Sequence, residues 1–130
     1  MSKSALAGRR IYRAKCAACH GQKGRGVGDK FPPLAGVAWV QGSPMRLAAL
    51  TLDGLTGKRK IAGTDYRGVM PAWRGVLTAP EIAAVLTYIR RAWGNRASPI
   101  STELVHKVSD RFQKRGRFWT GEELQALPGE

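Results

Sequence analysis

Both cysteines of this 130-residue chain and one of its two histidines fall within five consecutive positions, from Cys16 to His20. Two residues separate Cys16 from Cys19, and His20 follows at once. This spacing lets both thiols reach the two vinyl groups along one porphyrin edge and form thioethers, while the imidazole lies under the iron. The motif therefore predicts one covalently attached haem c, with His20 as the proximal iron ligand.

Two other uses of these thiols stay open as alternatives. A thioredoxin-like dithiol needs a strand before the motif and a helix that begins at its first cysteine, whereas residues 5–15 look helical. Structural zinc needs four ligands, and its soft candidates here are Cys16, Cys19, His20 and His106. Because Cys19 and His20 are adjacent, they do not have the usual spacing of a zinc finger. Haem is the favoured interpretation.

A haem iron also needs a second axial ligand, which decides what the iron can do. The candidates are Met1, Met45, Met70, His106 and several lysines. Met70 is favoured because Pro71 biases it towards an extended backbone and Gly68 lets the loop approach a ring closely. Met45 stands at the start of a predicted helix, where a methionine more often packs in the core, and His106 lies in a polar helical stretch. Both remain alternatives to Met70.

Three segments in this order resemble a class I cytochrome c. They are Cys16-Ala-Ala-Cys-His-Gly21, Phe31-Pro-Pro-Leu-Ala-Gly36 and Gly68-Val-Met-Pro71. The resemblance covers residues 4–95. Within the family, the stretches 52–57 and 82–95 look most like small bacterial cytochromes, or cytochrome domains, that serve periplasmic dehydrogenases, nitrite reductases and terminal oxidases.

The resemblance implies an all-α fold with three to four core helices around one covalent haem. The first and last core helices would cross closely, with Gly8 and Tyr12 facing Val85 and Tyr88. It also implies how the pocket is built: the carbonyl of Pro32 would accept the free ring N–H of His20, and Leu34 would pack on the porphyrin. Candidates to line the haem crevice or to hydrogen-bond a propionate are Trp39, Tyr66 and Trp73.

The hydrophobic pattern predicts the elements that position these residues. A first amphipathic helix covers residues 4–15, and a middle helix covers residues 44–52. Thr78 and Glu81 form a capping box for a helix that ends at Gly94. A short hairpin around Gly63 is the only strand signal.

A shift in composition after Asn95 divides the chain into a cytochrome domain, residues 4–95, and a helical extension, residues 96–130. In the extension we expect a helix from Ser101 to Gln113 and a short last helix after a capping box at Thr120. Three aromatic residues of the extension would pack on the core or, alternatively, dock a partner: Phe112, Phe118 and Trp119.

Twenty-two lysines and arginines against nine acidic residues give a net charge of +13, which favours an acidic partner. The sequence carries no nucleic-acid-binding signature and no transmembrane span. The first ten residues lack the apolar middle region of a secretory signal. We expect basic residues around the haem edge to dock redox partners, namely Lys15, Lys23, Arg25 and Lys30.

The predicted function is single-electron transfer between periplasmic redox proteins, without enzymatic activity. The alternatives are an electron-transfer domain or subunit of a larger dehydrogenase, reductase or oxidase, and a haem enzyme or gas sensor with an open sixth position.

Overall fold

The computed structural model describes residues 2–127. Its elements in chain order are α1 (Lys3–Ile11), a π-helical turn (Tyr12–Cys16), α2 (Ala17–His20), α3 (Ala38–Gln41), α4 (Pro44–Asp53), β1 (Arg59–Ile61), β2 (Thr64–Tyr66), α5 (Ala79–Arg91), α6 (Thr102–Arg111) and α7 (Gly121–Gln125). The mostly helical architecture confirms the predicted fold class. None of the helices in the described part of the chain is long and apolar enough to cross a membrane.

The first helical segment is longer than the pattern predicts. The Ser2 side chain accepts from the Ala5 amide and begins α1, and helical backbone continues through the π-helical turn and α2 to His20. The hydrogen bonds of a π-helical turn span one more residue than those of an α-helix, so the turn rotates the residues that follow it. The turn ends at Cys16, the first residue of the two-cysteine motif, and therefore affects the direction in which Cys19 and His20 face.

Helices α1 and α5 cross at a point of very close approach. A Cβ atom on Gly8 would lie 2.2 Å from the Ala84 carbonyl oxygen and 2.9 Å from Cβ of Tyr88. Only glycine fits at such a crossing. The predicted crossing is present, although Gly8 meets Ala84 and Tyr88, while Val85 turns towards the interior.

Helix α5 begins as predicted and ends earlier than predicted. Thr78 and Glu81 make both bonds of the capping box. The helix stops at Arg91 rather than Gly94, because Ala92 has an extended backbone (ψ 160°). Trp93 then adopts a left-handed backbone (φ 53°), and its ring packs against Tyr12, with the two ring centroids 5.0 Å apart. Aromatic packing thus accompanies the early end of the helix.

The middle of the chain follows the prediction closely. Ser43 caps α4 by accepting from the Arg46 amide. Strands β1 and β2 pair antiparallel with Ile61 opposite Thr64, so Ala62 and Gly63 form a two-residue turn. Both turn residues have positive φ, 51° and 83°, which is the backbone of the hairpin turns that match the twist of the strands.

The C-terminal residues lie against α4 and α5. Trp119 and Leu124 are buried and Phe112 is half-buried, whereas Phe118 is 41% exposed. Helix α6 is capped by Ser101 and ends at Arg111, two residues earlier than predicted. Helix α7 has the predicted capping box between Thr120 and Glu123. A separation into a domain of residues 4–95 and an extension stays a prediction.

Candidate functional site

An apolar cleft lies in the middle of the fold, with about 1080 Å³ of empty space including its mouth. Cys16, Cys19 and His20 line it, and aliphatic side chains of α4 and α5 form much of the rest of the wall. Ligand-binding cavities are typically lined by apolar and aromatic side chains with a few polar groups. The lining of this cleft therefore has the character that a flat, apolar macrocycle requires.

The His20 imidazole is held in one orientation. The residue is 9% exposed, and its Nδ1 lies 2.8 Å from the carbonyl oxygen of Pro32. Because a carbonyl oxygen can only accept, Nδ1 carries the proton and Nε2 is the nitrogen left to bind a metal. Burial lowers the pKa of His20, and the bond to Pro32 acts in the opposite direction. Burial thus favours the neutral ring, which is the form of histidine that binds a metal.

The loop that follows His20 is fixed at several points. The Gly26 amide donates to the His20 carbonyl at 2.8 Å, and the Leu34 amide donates to the Gly24 carbonyl at 2.7 Å. From the end of α5, the buried Asn95 side chain donates to the Leu34 carbonyl at 3.1 Å and accepts from the Gly36 amide at 2.8 Å. Leu34 lines the cleft.

Met70 also lines the cleft, and a pair of backbone hydrogen bonds holds it there. Its amide donates to the Leu55 carbonyl at 2.9 Å, and its carbonyl accepts from the Leu55 amide at 3.1 Å. Met45 is buried outside the cleft lining, and His106 is exposed on α6. Met1 lies outside the described residues, and among the lysines Lys30 lines the cleft. Among the described residues, Met70 is the methionine that shares a cavity with His20.

The structure brings two of the three aromatic candidates to the cleft. Trp39 and Trp73 line it, and Trp39 Nε1 makes a long, 3.4 Å, hydrogen bond to the Lys60 carbonyl. Tyr66 is buried, but it does not line the cleft, and its hydroxyl donates to the Gly28 carbonyl at 3.3 Å. A role for Tyr66 towards a propionate therefore has no geometric support.

Arg59 is a site residue that the sequence analysis missed. Arg59 is 8% exposed and lines the cleft. Its Nη1 donates to the carbonyls of Gly57 and Gly68. Its Nε is buried without a hydrogen-bond partner. No carboxylate within residues 2–127 pairs with it, and burial lowers its pKa. A guanidinium is protonated in proteins and costly to bury alone, so this position suits an anionic group of a ligand. Strand alternation was the available signal, since Arg59 and Ile61 lie on the same, inward face of β1.

The other proposed uses of the thiols fit less well. Burial, reinforced by the neighbouring Cys19, raises the pKa of the Cys16 thiol to about 11, whereas the reactive thiol of a redox dithiol has a lowered pKa. Over residues 2–127, no three His, Cys, Asp or Glu side chains are placed to hold a metal ion together. Residues 2–127 therefore do not bring together the ligands of a zinc site.

The fit to a haem is consequently good. The lining of the cleft holds two cysteines, an imidazole with Nε2 available, a methionine and a buried cation that suits a haem carboxylate. The bound group would supply a one-electron ferric–ferrous couple.

Comparisons with known proteins agree with this geometry. Residues 3–89 match the family model described as cytochrome c oxidase, cbb3-type, subunit III. The chain is 41% identical over 110 residues to cytochrome c-552 of Thermus thermophilus, which covers 78% of this chain and 82% of that protein.

Subunits of larger complexes match over less of their own length. The cytochrome c subunit of the quinone alcohol dehydrogenase of Gluconobacter oxydans is 34% identical over 70% of this chain, but the match covers 19% of that subunit. The cbb3-type oxidase subunit FixP of a Bradyrhizobium species is 32% identical over 71% of this chain and 29% of its own length. The chain belongs to the c-type cytochromes, electron-transfer proteins whose prosthetic group is a covalently bound haem c.

Proposed function

We propose that this chain is a single-electron carrier whose haem is attached to Cys16 and Cys19 and ligated by His20 and Met70. The observation that carries the proposal is the shared cleft: His20 is oriented by Pro32 with Nε2 available, and Met70 is held by Leu55 against the same cavity. With both axial positions filled, no substrate has to reach the iron, so the protein acts as a carrier rather than as an enzyme.

The ligand types fit electron transfer. A thioether sulfur is soft and favours ferrous iron, and an apolar wall around the site raises the reduction potential further. Arg59 would pair with a haem propionate, which would satisfy its orphaned Nε and its buried charge. Trp39 and Trp73 would complete the crevice wall.

Two measurements test the attachment and the ligation. The intact mass after acid–acetone extraction should exceed the polypeptide mass by one haem. Met70→Ala should remove the weak long-wavelength charge-transfer band of ferric Met–haem ligation, and its ferrous form should bind carbon monoxide. Met45→Ala is the matched control and should keep the band and exclude carbon monoxide. An unchanged mass would contradict the attachment, and a band that survives in Met70→Ala would contradict the ligand assignment.

The partners are redox proteins with acidic docking faces, and the chain works outside the cytoplasm, where bacteria attach haem c. Lys15, Lys23, Arg25 and Lys30 are all exposed, and Lys30 also lines the cleft. A basic rim of this kind attracts acidic surfaces over distances comparable to the Debye length.

A role as a subunit or domain of a larger redox complex is the second candidate. It is favoured by the cytochrome subunits of dehydrogenases and oxidases that match 70–73% of this chain. Native electrophoresis of periplasmic and membrane fractions, followed by haem staining, separates the two. A carrier gives a small, free haem protein in the periplasmic fraction, and a subunit gives a stained band at the size of the complex.

A further inference from the structure

The segment of residues 54–56 is paired with a different part of the chain on each of its two edges. On one edge, Leu55 exchanges two backbone hydrogen bonds with Met70, at 2.9 and 3.1 Å. On the other edge, the Thr56 amide donates to the Trp119 carbonyl at 2.8 Å, and the Trp119 amide donates to the Gly54 carbonyl at 3.0 Å. Residues 54–56 thus connect the backbone of Met70 to the C-terminal part of the chain.

Trp119, at one end of this connection, is held in place by several side-chain contacts. The residue is 3% exposed, its ring meets Phe112 edge-on with centroids 4.9 Å apart, and the Arg115 guanidinium lies 3.7 Å from its ring centroid. Arg115 in turn pairs with Glu123 at 2.6 Å. Packing, a cation–π contact and an ion pair therefore restrict the backbone of Trp119.

The backbone at Gly54 is packed tightly between Met70 and Phe118. Its φ is +79°, and a Cβ atom there would lie 2.6 Å from the Met70 carbonyl oxygen and 2.6 Å from Cδ1 of Phe118. These distances are too short for real Cβ atoms, so any side chain at Gly54 would push Met70 and Phe118 apart.

A second link joins the same two regions. Arg74, four residues after Met70, holds Asp53 through Nε and Nη2 at 2.8 and 3.0 Å. Its Nη1 donates to the carbonyl and hydroxyl oxygens of Ser109 on α6, at 3.1 and 2.9 Å. The segment that carries Met70 is therefore attached to the C-terminal part at two places.

We propose that Trp119 is a positioning residue for Met70: through residues 54–56 it holds the Met70 backbone in place and so limits the replacement of the methionine by other ligands. This inference rests on the proposed ligation of the iron by Met70. It assigns a task to the C-terminal segment, which lies outside the residues that match the family model.

The expected effect follows from the cost of loosening these hydrogen bonds. Movement of Met70 away from the cleft must break its pair of bonds to Leu55 or drag residues 54–56 along with it. With Trp119 in place, movement of residues 54–56 together with Met70 would leave the Gly54 carbonyl and the Thr56 amide without partners. The cost corresponds to about a tenfold change in the equilibrium constant for opening the sixth position. Loss of the Trp119 anchor removes this cost and makes the sixth position easier to open.

The test measures the dissociation constant of imidazole for the ferric holoprotein, together with the Met–haem charge-transfer band. We expect Trp119→Ala to tighten imidazole binding about tenfold, and Trp119→Phe, which keeps a buried aromatic ring, to change it much less. Gly54→Ala should also tighten it, because the new methyl group displaces the Met70 carbonyl. Gly63→Ala is the matched control, since Gly63 has the same left-handed backbone (φ +83°) and nothing within 4 Å of its Cβ position.

Leu124→Ala controls for a general loss of stability, because Leu124 is fully buried in α7 but makes no contact in the chain of hydrogen bonds to Met70. Unchanged imidazole affinity in a folded Trp119→Ala would overturn the inference, as would an equal gain in Gly63→Ala or Leu124→Ala. Should Trp119→Ala lose its helical circular dichroism, the comparison of Gly54→Ala with Gly63→Ala decides alone. A charge-transfer band that persists in Met70→Ala would instead refute the ligation itself.

Discussion

The Nδ1 atom of His20 donates to the carbonyl oxygen of Pro32 across a distance of 2.8 Å and twelve residues of chain. This bond fixes the tautomer and the rotation of the imidazole, and a bond of this type raises the basicity of a metal-binding ring. Its acceptor sits in a loop without regular secondary structure. The geometry therefore depends on whatever holds the loop, and Asn95 is the side chain that does so from the end of α5.

Asn95→Ala should lower the free energy of unfolding by about 2–3 kcal/mol, because it leaves the carbonyls of Leu34 and Ile89 and the amide of Gly36 without their partner. The Nδ1 proton of His20 should also exchange faster with solvent in NMR spectra. Gln41→Ala is the control, since Gln41 accepts one exposed bond from the Arg96 amide, and it should change stability by less than about 0.5 kcal/mol. Equal losses in both variants would show that Asn95 does not support the loop.

Arg59→Gln should lower the reduction potential and make it depend on pH. Removal of a buried positive charge beside the haem favours the ferric state, and an effect of about 1.4 kcal/mol corresponds to about 59 mV for a one-electron couple. The freed propionate should then take up a proton within the accessible pH range, which gives the potential a slope. Voltammetry between pH 5 and 9 measures both effects.

The neighbouring Lys60→Gln is a close control for Arg59→Gln. Lys60 lies on the same strand and carries the same charge, but its side chain faces solvent. It should leave the potential nearly unchanged, because exposed charges are screened. Identical potentials for both variants would contradict a pairing between Arg59 and a haem carboxylate.

Structural features that depend on residues close together in the chain were predictable from the sequence. The capping box at Thr78 and Glu81, the hairpin around Gly63 and the cap at Ser101 follow from nearest neighbours, and the structure confirms each of them. The same holds for the two-cysteine motif, whose chemistry is contained in five residues. Assignments of individual ligands to His20 and Met70 stay predictions.

The features that depend on distant parts of the chain were not predictable in this way. The π-helical turn at Tyr12–Cys16 has no local signal, because α- and π-helical turns use the same residue types. The early end of α5 is accompanied by a contact between Trp93 and Tyr12, which are eighty-one positions apart. Arg59 stands between Lys58 and Lys60, and all three residues are basic. Arg59 is buried and the two lysines are exposed, so the side of the backbone on which each side chain lies is the difference between them. The pairing of Trp119 with residues 54–56 likewise joins segments that are over sixty residues apart.

Glu123 gives the stability a dependence on acid pH. Hydrogen bonds from the Thr120 backbone, and then from Arg115, lower its pKa from 4.5 to about 2. A group with a depressed pKa contributes stability above its unfolded value and loses it as the pH falls through its folded value. The stability that Glu123 contributes should therefore be complete above about pH 5 and decline towards pH 2.

The measurement compares the unfolding midpoints of the wild type and Glu123→Gln at several pH values. We expect the wild type to unfold at the higher temperature at pH 6, and the difference to shrink as the pH approaches 2. The effect is modest, because the Glu123 side chain is 34% exposed and solvent screens its ion pair. A constant difference across the whole range would contradict the depressed pKa.

The basic rim, which consists of the exposed residues Lys15, Lys23, Arg25 and Lys30 and reaches the cleft lining at Lys30, should control the rate at which partners associate. Reversal of the charges at Lys23 and Lys30 should slow electron transfer to an acidic redox partner about tenfold or more at low salt, and the difference should vanish at high salt. Each exposed charge contributes on the order of 1 kcal/mol or less to affinity, so the rate constant rather than the dissociation constant carries the effect. Stopped-flow absorbance across a salt series measures it.

The control for the rim reverses Lys107 and Lys114, which are equally exposed and change the net charge by the same amount. They lie on or just after α6 and do not line the cleft. If docking is directed to the haem edge, this variant should keep most of the wild-type rate, because steering depends on where the charge sits as well as on the total. If both double variants slow equally, net charge alone accounts for the attraction and the rim has no special role. A rate independent of ionic strength in the wild type would remove the case for electrostatic docking altogether and leave solubility as the function of the positive charge.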